Sequence, residues 1–250
     1  MYNRCMKKIL KQLRKADEDF HLIESDDLII VGVSGGKDSM LLLYALSLYQ
    51  KFEHKKFRLL AVHLKMNFPD MDSTPIKDYC KKLGVEYYEE DTYMNEILTY
   101  HQRKDGSYDC SLCSTLKRGA IVNIAKERQA TKICFAHHAD DAIETFFLNA
   151  IYGGRLETFQ PDIYYEDKEI HFIRPLIYTY EKDIKQAVKK YDLPIVESTC
   201  PNDGVSKRED MKQLVQSIYK IYPQADKNLL NMLSNENIHL WKKVTSKSER

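Results

Sequence analysis

The sequence predicts an α/β protein, a Rossmann-like sandwich in which a mostly parallel sheet is covered by helices on both faces. Two observations carry this expectation. Between Leu28 and Ile151, short apolar runs of strand length alternate with amphipathic runs of helical length. The first apolar run, Leu28 to Val33, then empties directly into Ser34-Gly35-Gly36-Lys37-Asp38-Ser39, a strand-to-helix turn of the kind found at the carboxyl edge of a parallel sheet.

Taken in order, the first fifteen residues carry Arg4, Lys7, Lys8, Lys11, Arg14 and Lys15 with no acid, while Met6, Ile9, Leu10 and Leu13 recur at helical spacing. This is a basic N-terminal helix over residues 1–24. Its polar face is open to solvent or to RNA, and its apolar stripe is short for a membrane-surface anchor. Strands follow at Leu28 to Val33, Arg58 to His63, Val85 to Glu90 and Lys132 to Ala136. Helices fill the gaps at Ser39 to Tyr49, Pro75 to Leu83, Leu112 to Arg128 and Asp140 to Ile151. Past Gly153-Gly154 the pattern changes to a connecting stretch, a hairpin around Asp167, a strand at Ile170 to Ile173, and helices near Tyr180 to Tyr191 and Lys207 to Tyr222.

The 38 basic and 37 acidic side chains argue against a generally cationic nucleic-acid binder, so RNA contacts must come from local patches. One is the first helix; the other is the segment from Lys207 to Arg250, with nine basic against five acidic residues. No run approaches the roughly 20 apolar residues of a membrane span, and the N-terminus lacks a signal-peptide core. The expectation is a cytoplasmic protein without a membrane partner. Its six cysteines are then thiols or metal ligands rather than a disulfide framework.

Gly35 and Gly36 permit backbone conformations closed to other residues, and the N–H groups opening the next helix point at any ligand there with the helix dipole behind them. That makes an anion cradle, although the spacing is wrong for the P-loop of the Gly-x4-Gly-Lys-Ser/Thr type. The strand ending near Ala136 runs into His137-His138-Ala139-Asp140-Asp141, with Glu144 one turn on. Carboxylates beside a phosphate site hold magnesium, which nominates Asp38 with Asp140 or Asp141. Asp140 is also a good helix N-cap. His137 is a second nucleotide-site candidate, and His63 either borders the nucleotide or is a polar strand terminus.

Cys110-Ser-Leu-Cys113 opens a helix whose N-terminus favours thiolates. The pair fits half a zinc site, a redox disulfide or part of an iron–sulfur cluster, and Cys200, exposed by the following Pro201, supplies a third sulfur. Cys134 and Cys80 sit in apolar patterns and read as core, and Cys5 as incidental. Three cysteines do not complete a structural zinc site, which wants four ligands, but they suit a cubane with one iron left open.

Together, Ser34 to Ser39, Cys110-Ser-Leu-Cys-Ser-Thr-Leu-Lys-Arg-Gly119, Ala136-His-His-Ala-Asp-Asp-Ala-Ile-Glu-Thr145, Leu148-Asn149 with Gly153-Gly154, and Arg174-Pro-Leu176 resemble the tRNA 2-thiocytidine synthetases of the PP-loop ATP-pyrophosphatase superfamily over roughly residues 25 to 235. Ala136 stands where that family commonly has Gly, and Cys200-Pro-Asn-Asp-Gly204 where it usually has a second cysteine and a Gly-Ser-Gln stretch. The resemblance implies an adenine nucleotide alpha hydrolase-like fold with helical N- and C-terminal additions. It implies an ATP-binding domain over residues 25–178 carrying the cysteine pair, and a mostly helical region over residues 179–250 carrying Cys200.

It further implies an ATP-dependent sulfurtransferase that adenylates the C2 oxygen of cytidine 32 in tRNA and replaces it with sulfur. Ser34, Gly35, Gly36, Lys37, Asp38 and Ser39 would hold the pyrophosphate end of ATP and its Mg2+, with His63, His137 and Asp141 around the nucleotide. Cys110, Cys113 and Cys200 would bind a [4Fe-4S] cluster. The implied partners are the tRNA anticodon loop, a cysteine desulfurase as sulfur donor, and a second copy of the chain in a homodimer. Rival readings are a tRNA lysidine synthetase-like ligase, which gives the cysteines no task, a thiolase for another nucleoside, and a cluster- or zinc-bearing tRNA-binding protein without turnover.

Overall fold

The computed structural model describes residues 4–69, 71–202 and 207–234. Strands β1 (Leu28–Gly32), β2 (Arg58–Lys65), β3 (Glu86–Asp91), β4 (Lys132–Cys134), β5 (Asp162–Tyr165) and β6 (Ile170–Ile173) form a sheet in the order β3-β2-β1-β4-β6-β5. All pairings are parallel except that of β5 with β6, the expected hairpin around Asp167. β1 lies inside the sheet because Ile29, Ile30 and Val31 are all buried, and no side of it can face water. Ile29 and Val31 enter the core on one face of the sheet and Ile30 the core on the other.

Around the sheet lie α1 (Arg4–Phe20), α2 (Lys37–Phe52), α3 (Thr74–Leu83), α4 (Met94–Tyr100), α5 (Cys110–Glu127), α6 (Ala139–Gly153), α7 (Glu181–Tyr191), α8 (Lys207–Ile221) and α9 (Ala225–Leu233). α2 is buried almost continuously from Ser39 to Tyr49, because α1 and α7 cover the side turned away from β1. The apolar stripe of α1 is core: Met6, Ile9 and Leu13 are fully buried, which removes the membrane-surface reading of this helix. Part of its basic face is spoken for as well, with Lys8 on Asp183, Arg14 on Glu53 and Lys15 on Asp19. Among the described residues, no helix is long and apolar enough to cross a membrane.

Chain order decides where the site falls. β1, β2 and β3 are laid down in one direction, whereas β4 returns to the opposite flank of β1. The strand order therefore reverses between β1 and β4, and a crevice opens there at the carboxyl ends of the strands. The Gly-Gly turn after β1 and the two-histidine segment after β4 are its two walls.

α4 and α9 were not anticipated from periodicity, since seven and nine residues give too few turns for a repeat. β4 is shorter than expected: beyond Cys134 the chain leaves the β1 ladder, and Phe135 N–H bonds only Ile173 O, at 3.0 Å. Residues 235–250 of the basic C-terminal segment, with Asp203 and Gly204, lie outside the described residues.

Candidate active site at the β1/β4 crevice

The turn after β1 is held by its own serines. Ser39 Oγ donates to Gly36 O at 2.9 Å and accepts from Ser34 N–H at 3.2 Å, so buried Ser39 clamps the loop from inside. Gly35 sits at φ +86°, a left-handed conformation that glycine adopts without strain. A Cβ there would come within 2.8 Å of the Val196 Cβ. Gly36 has an ordinary φ of −70°, so of the two glycines only Gly35 uses the backbone freedom that both permit. Gly36 is the N-cap of α2 and has no side-chain cap, which leaves the first N–H groups of the helix facing the crevice.

Lys37 and Asp38 lie at the mouth. Lys37 Nζ is 2.8 Å from Asp38 Oδ2 and 3.1 Å from Glu181 Oε1. Burial works against its charge, but the two carboxylates outweigh it and raise its pKa. Asp38 Oδ1 is buried and accepts no hydrogen bond from the described residues; His138 Nε2 lies 3.7 Å from it. A buried carboxylate oxygen without a donor, beside open helix N–H groups, is suited to a cation shared with phosphate oxygens.

Across the crevice, α6 begins with a capping box. The N-cap is His138, whose ring nitrogen accepts from Asp141 N–H, while the Asp141 carboxylate accepts from His138 N–H at 2.9 Å. Asp140 is therefore not the cap of its own helix; its Oδ2 accepts from Glu181 N–H at 2.6 Å and so caps α7. Burial raises the Asp140 pKa. Burial would raise that of Asp141 too, but His138 and Arg208, the latter at 2.7 Å, overcome it and hold it low. Glu144, 4% exposed, is pushed up to about 7 by burial with a contribution from Asp141.

His137 is pushed down to about 4, chiefly by burial, and its neutral ring accepts at Nδ1 from Arg174 Nε at 3.3 Å. His63 lies inside β2 rather than at its end. Its Nδ1 is 2.8 Å from Val33 O, tying β2 to the cradle, and its buried Nε2 has no partner among the described residues.

Glu181 was missed from the sequence, where it is one acid opening an amphipathic helix. Its carboxylate reaches Lys37 at 3.1 Å, Lys185 at 3.0 Å and Lys212 at 3.1 Å. Burial opposes its charge, but these ammonium groups hold its pKa at about 2.

The sulfurs gather at one flank of the same edge. Cys110 and Cys113 lie in the first turns of α5, capped by Asp109, which accepts from Ser111 and Leu112 N–H. Cys113 and Cys200 both pack on the small apolar cluster of Met66, Phe68, Met94 and Leu98. Burial raises the Cys113 pKa, with Lys117 opposing and the neighbouring Cys200 and Cys110 adding to the rise. Asn202 brings the third cysteine in: its amide donates to Tyr108 O at 2.7 Å and to Cys110 Sγ at 3.3 Å, and its carbonyl accepts from Tyr108 N–H at 3.1 Å. Among the described residues no three His, Cys, Asp or Glu side chains close around a single ion. Sulfurs on the first turns of α5 and on the Cys200 segment, gathered at one apolar cluster, suit a polynuclear cluster, whose ligands stand on different iron atoms.

The chain matches the PP-loop domain family over residues 2–216. The tRNA-cytidine(32) 2-sulfurtransferase of Idiomarina loihiensis is 38% identical over 94% of this chain and 78% of its own. That of Marinobacter nauticus is 35% identical over 95% and 79% respectively. Among solved structures, the U34-tRNA thiolase NcsA from Methanococcus maripaludis with its [4Fe-4S] cluster superposes with a TM-score of 0.74 at 20% identity, covering 92% of this chain and 78% of that one, a likeness of fold. With a crevice built from Ser34-Gly35-Gly36-Lys37-Asp38-Ser39 and these relatives at such coverage, the chain belongs to the PP-loop family and, within it, to the family of the tRNA-cytidine(32) 2-sulfurtransferases.

Proposed function

We propose that this protein is an ATP-dependent tRNA sulfurtransferase that converts cytidine 32 to 2-thiocytidine, as the names of its relatives describe for them. The observation that carries the reading is the placement of an anion cradle and three non-core cysteines at one edge of one sheet. The lysidine synthetase-like alternative needs the cradle but leaves Cys110, Cys113 and Cys200 idle.

A pyrimidine C2 oxygen is a poor leaving group and must first be made a good one. In the proposed reaction that oxygen attacks the α-phosphate of ATP and pyrophosphate departs into the Gly35-Gly36 turn, where helix N–H groups and Lys37 spread the charge. Asp38, through its unpartnered Oδ1, would hold Mg2+, with Asp141 on the facing helix as a second candidate ligand. His137 keeps a neutral ring in the crevice and His63 offers a buried lone pair beside the cradle. Cys110, Cys113 and Cys200 would hold the [4Fe-4S] cluster, which when bound supplies an iron without a protein ligand at which sulfide can be presented. Sulfur then takes the place of the activated oxygen, and AMP leaves. No net redox change is required. A cysteine desulfurase would be the donor, the anticodon loop the bound portion of the tRNA, a homodimer the assembly, and the cytoplasm the compartment.

Nucleoside mass spectrometry of bulk tRNA from a strain lacking this gene, beside its parent, tests the reading. Selective loss of 2-thiocytidine is the expected result. Loss of another thiolated base keeps the chemistry and moves the target, loss of lysidine favours the ligase, and an unchanged profile sinks the proposal.

A further inference from the structure

The short helix α4 buries one stripe and displays another. Met94 and Leu98 are 4% and 1% exposed and form part of the apolar cluster on which Cys113 and Cys200 rest. On the adjoining face the N-cap Tyr93, Ile97 and Tyr100 follow at the i, i+4, i+7 spacing of a single stripe, 74%, 36% and 86% exposed. Large apolar side chains in one exposed row mark an interaction surface more often than an accident of folding. The turn that follows, His101-Gln102-Arg103-Lys104, continues this exposed surface toward Cys110; Arg103 is paired with Asp109 at 3.4 Å, and Lys104 precedes Asp105.

We propose that α4 is a stacking platform for unpaired nucleobases of the RNA loop that carries the target nucleotide. This rests on the functional reading above and adds the place where the loop is gripped. Three features select single-stranded RNA as the occupant. The exposed rings are tyrosines, whose faces accept any base while the hydroxyl stays in water. Tyr93 and Tyr100 lie roughly 10 Å apart along the helix axis, a span of about three stacked bases. Lys104 follows Tyr100 by four residues in an exposed turn, where it can meet the phosphates of a stacked strand. A target base has to leave its stack to react, and rings that receive its neighbours offset the lost stacking. Because the buried face of α4 packs in the cysteine-bearing cluster, the platform holds the loop beside the sulfurs.

The test uses the full-length protein and a fluorescein-labelled anticodon stem-loop RNA with an unmodified cytidine 32, read by fluorescence anisotropy. Replacing both Tyr93 and Tyr100 with Ala should weaken binding at least tenfold, and raise the stem-loop KM more than it lowers kcat. The Tyr→Phe pair should restore binding because the rings are kept, and the Tyr→Leu pair should not. Ala variants that bind RNA within twofold of wild type would overturn the platform. So would an altered oligomeric state by sedimentation, which would assign the face to a second copy, or intact RNA binding with lost sulfur uptake, which would assign it to a protein donor. These results leave the enzyme's identity untouched, whereas a wild-type protein that fails to thiolate any tRNA removes the functional reading itself.

Discussion

The Val196 amide donates a 3.0 Å hydrogen bond to the carbonyl of Gly35, and the same glycine leaves the space that the Val196 side chain fills. One contact thus fastens the segment leading to Cys200 onto the phosphate cradle. Ile76 of α3, 3.1 Å from the position a Gly35 Cβ would take, closes the third side. The start of the segment that carries Cys200 is therefore anchored to the floor of the cradle.

Gly35→Ala meets two penalties, a left-handed backbone and a Cβ overlap with Val196, which together cost on the order of 2–4 kcal/mol. Gly36→Ala meets neither, since its φ is −70° and its nearest contact would be Ser34 Oγ at an ordinary 3.5 Å. Thermal unfolding should show a fall of several degrees for the first and little change for the second. ATP-driven pyrophosphate release should drop at least 100-fold in Gly35→Ala. Equal melting temperatures for the two variants would show that the Val196 contact does not constrain the loop.

Asp38→Ala should abolish tRNA-dependent pyrophosphate release while leaving the iron content and visible absorbance of the reconstituted protein unchanged. An undiminished pyrophosphate yield would take Asp38 out of the magnesium site.

Cys110→Ser, Cys113→Ala and Cys200→Ala should each remove the cluster absorbance after anaerobic reconstitution while leaving ATP affinity within about threefold of wild type. Asn202→Ala keeps all three thiols but loses the bridge to Tyr108 and Cys110. Its cluster should form and then bleach in air several times faster. A variant with wild-type lifetime would show that Cys200 is held by other means.

Two buried carboxylates give opposite pH signatures in the ligand-free protein. Glu181, held at about 2, stabilises the fold above the ordinary carboxylate range and loses that contribution as pH falls toward 2. Its lysine partners are partly solvent-screened, so Glu181→Gln should cost roughly 1–2 kcal/mol at pH 7, with the gap closing in acid. Glu144, pushed up to about 7, favours the fold while protonated and loses this as pH rises through 7. Glu144→Gln should therefore be more stable than wild type by roughly 1–3 kcal/mol at pH 8, and indistinguishable from it near pH 4. Urea unfolding at several pH values measures both; parallel curves for Glu144→Gln and wild type would mean that Glu144 ionises without penalty.

Much of this architecture was legible in the chain. The apolar run before Ser34 and the Pro75 to Leu83 periodicity located a strand and a helix to within a residue or two, because burial on a fixed face imposes a local repeat. The hairpin around Asp167 was equally readable. α4 was not, because its seven residues bury only Met94 and Leu98. His63 was placed at a strand terminus although β2 runs on to Lys65, since a polar side chain inside a strand looks like an end until its partner, Val33 O, is known.

The sequence by itself determined the alternating elements, the glycine turn and the cysteine spacing, all of which depend on residues near one another in the chain. Tertiary structure alone decided that Asp140 caps α7 rather than its own helix, that Glu181 gathers three lysines at the cradle, and that Asn202 fastens the Cys200 segment to Cys110. Apart from the i,i+4 pair of Glu181 with Lys185, each of these joins residues dozens of positions apart, and only the reversal of strand order beside β1 brings the two walls of the crevice together, where desolvation makes such pairings selective.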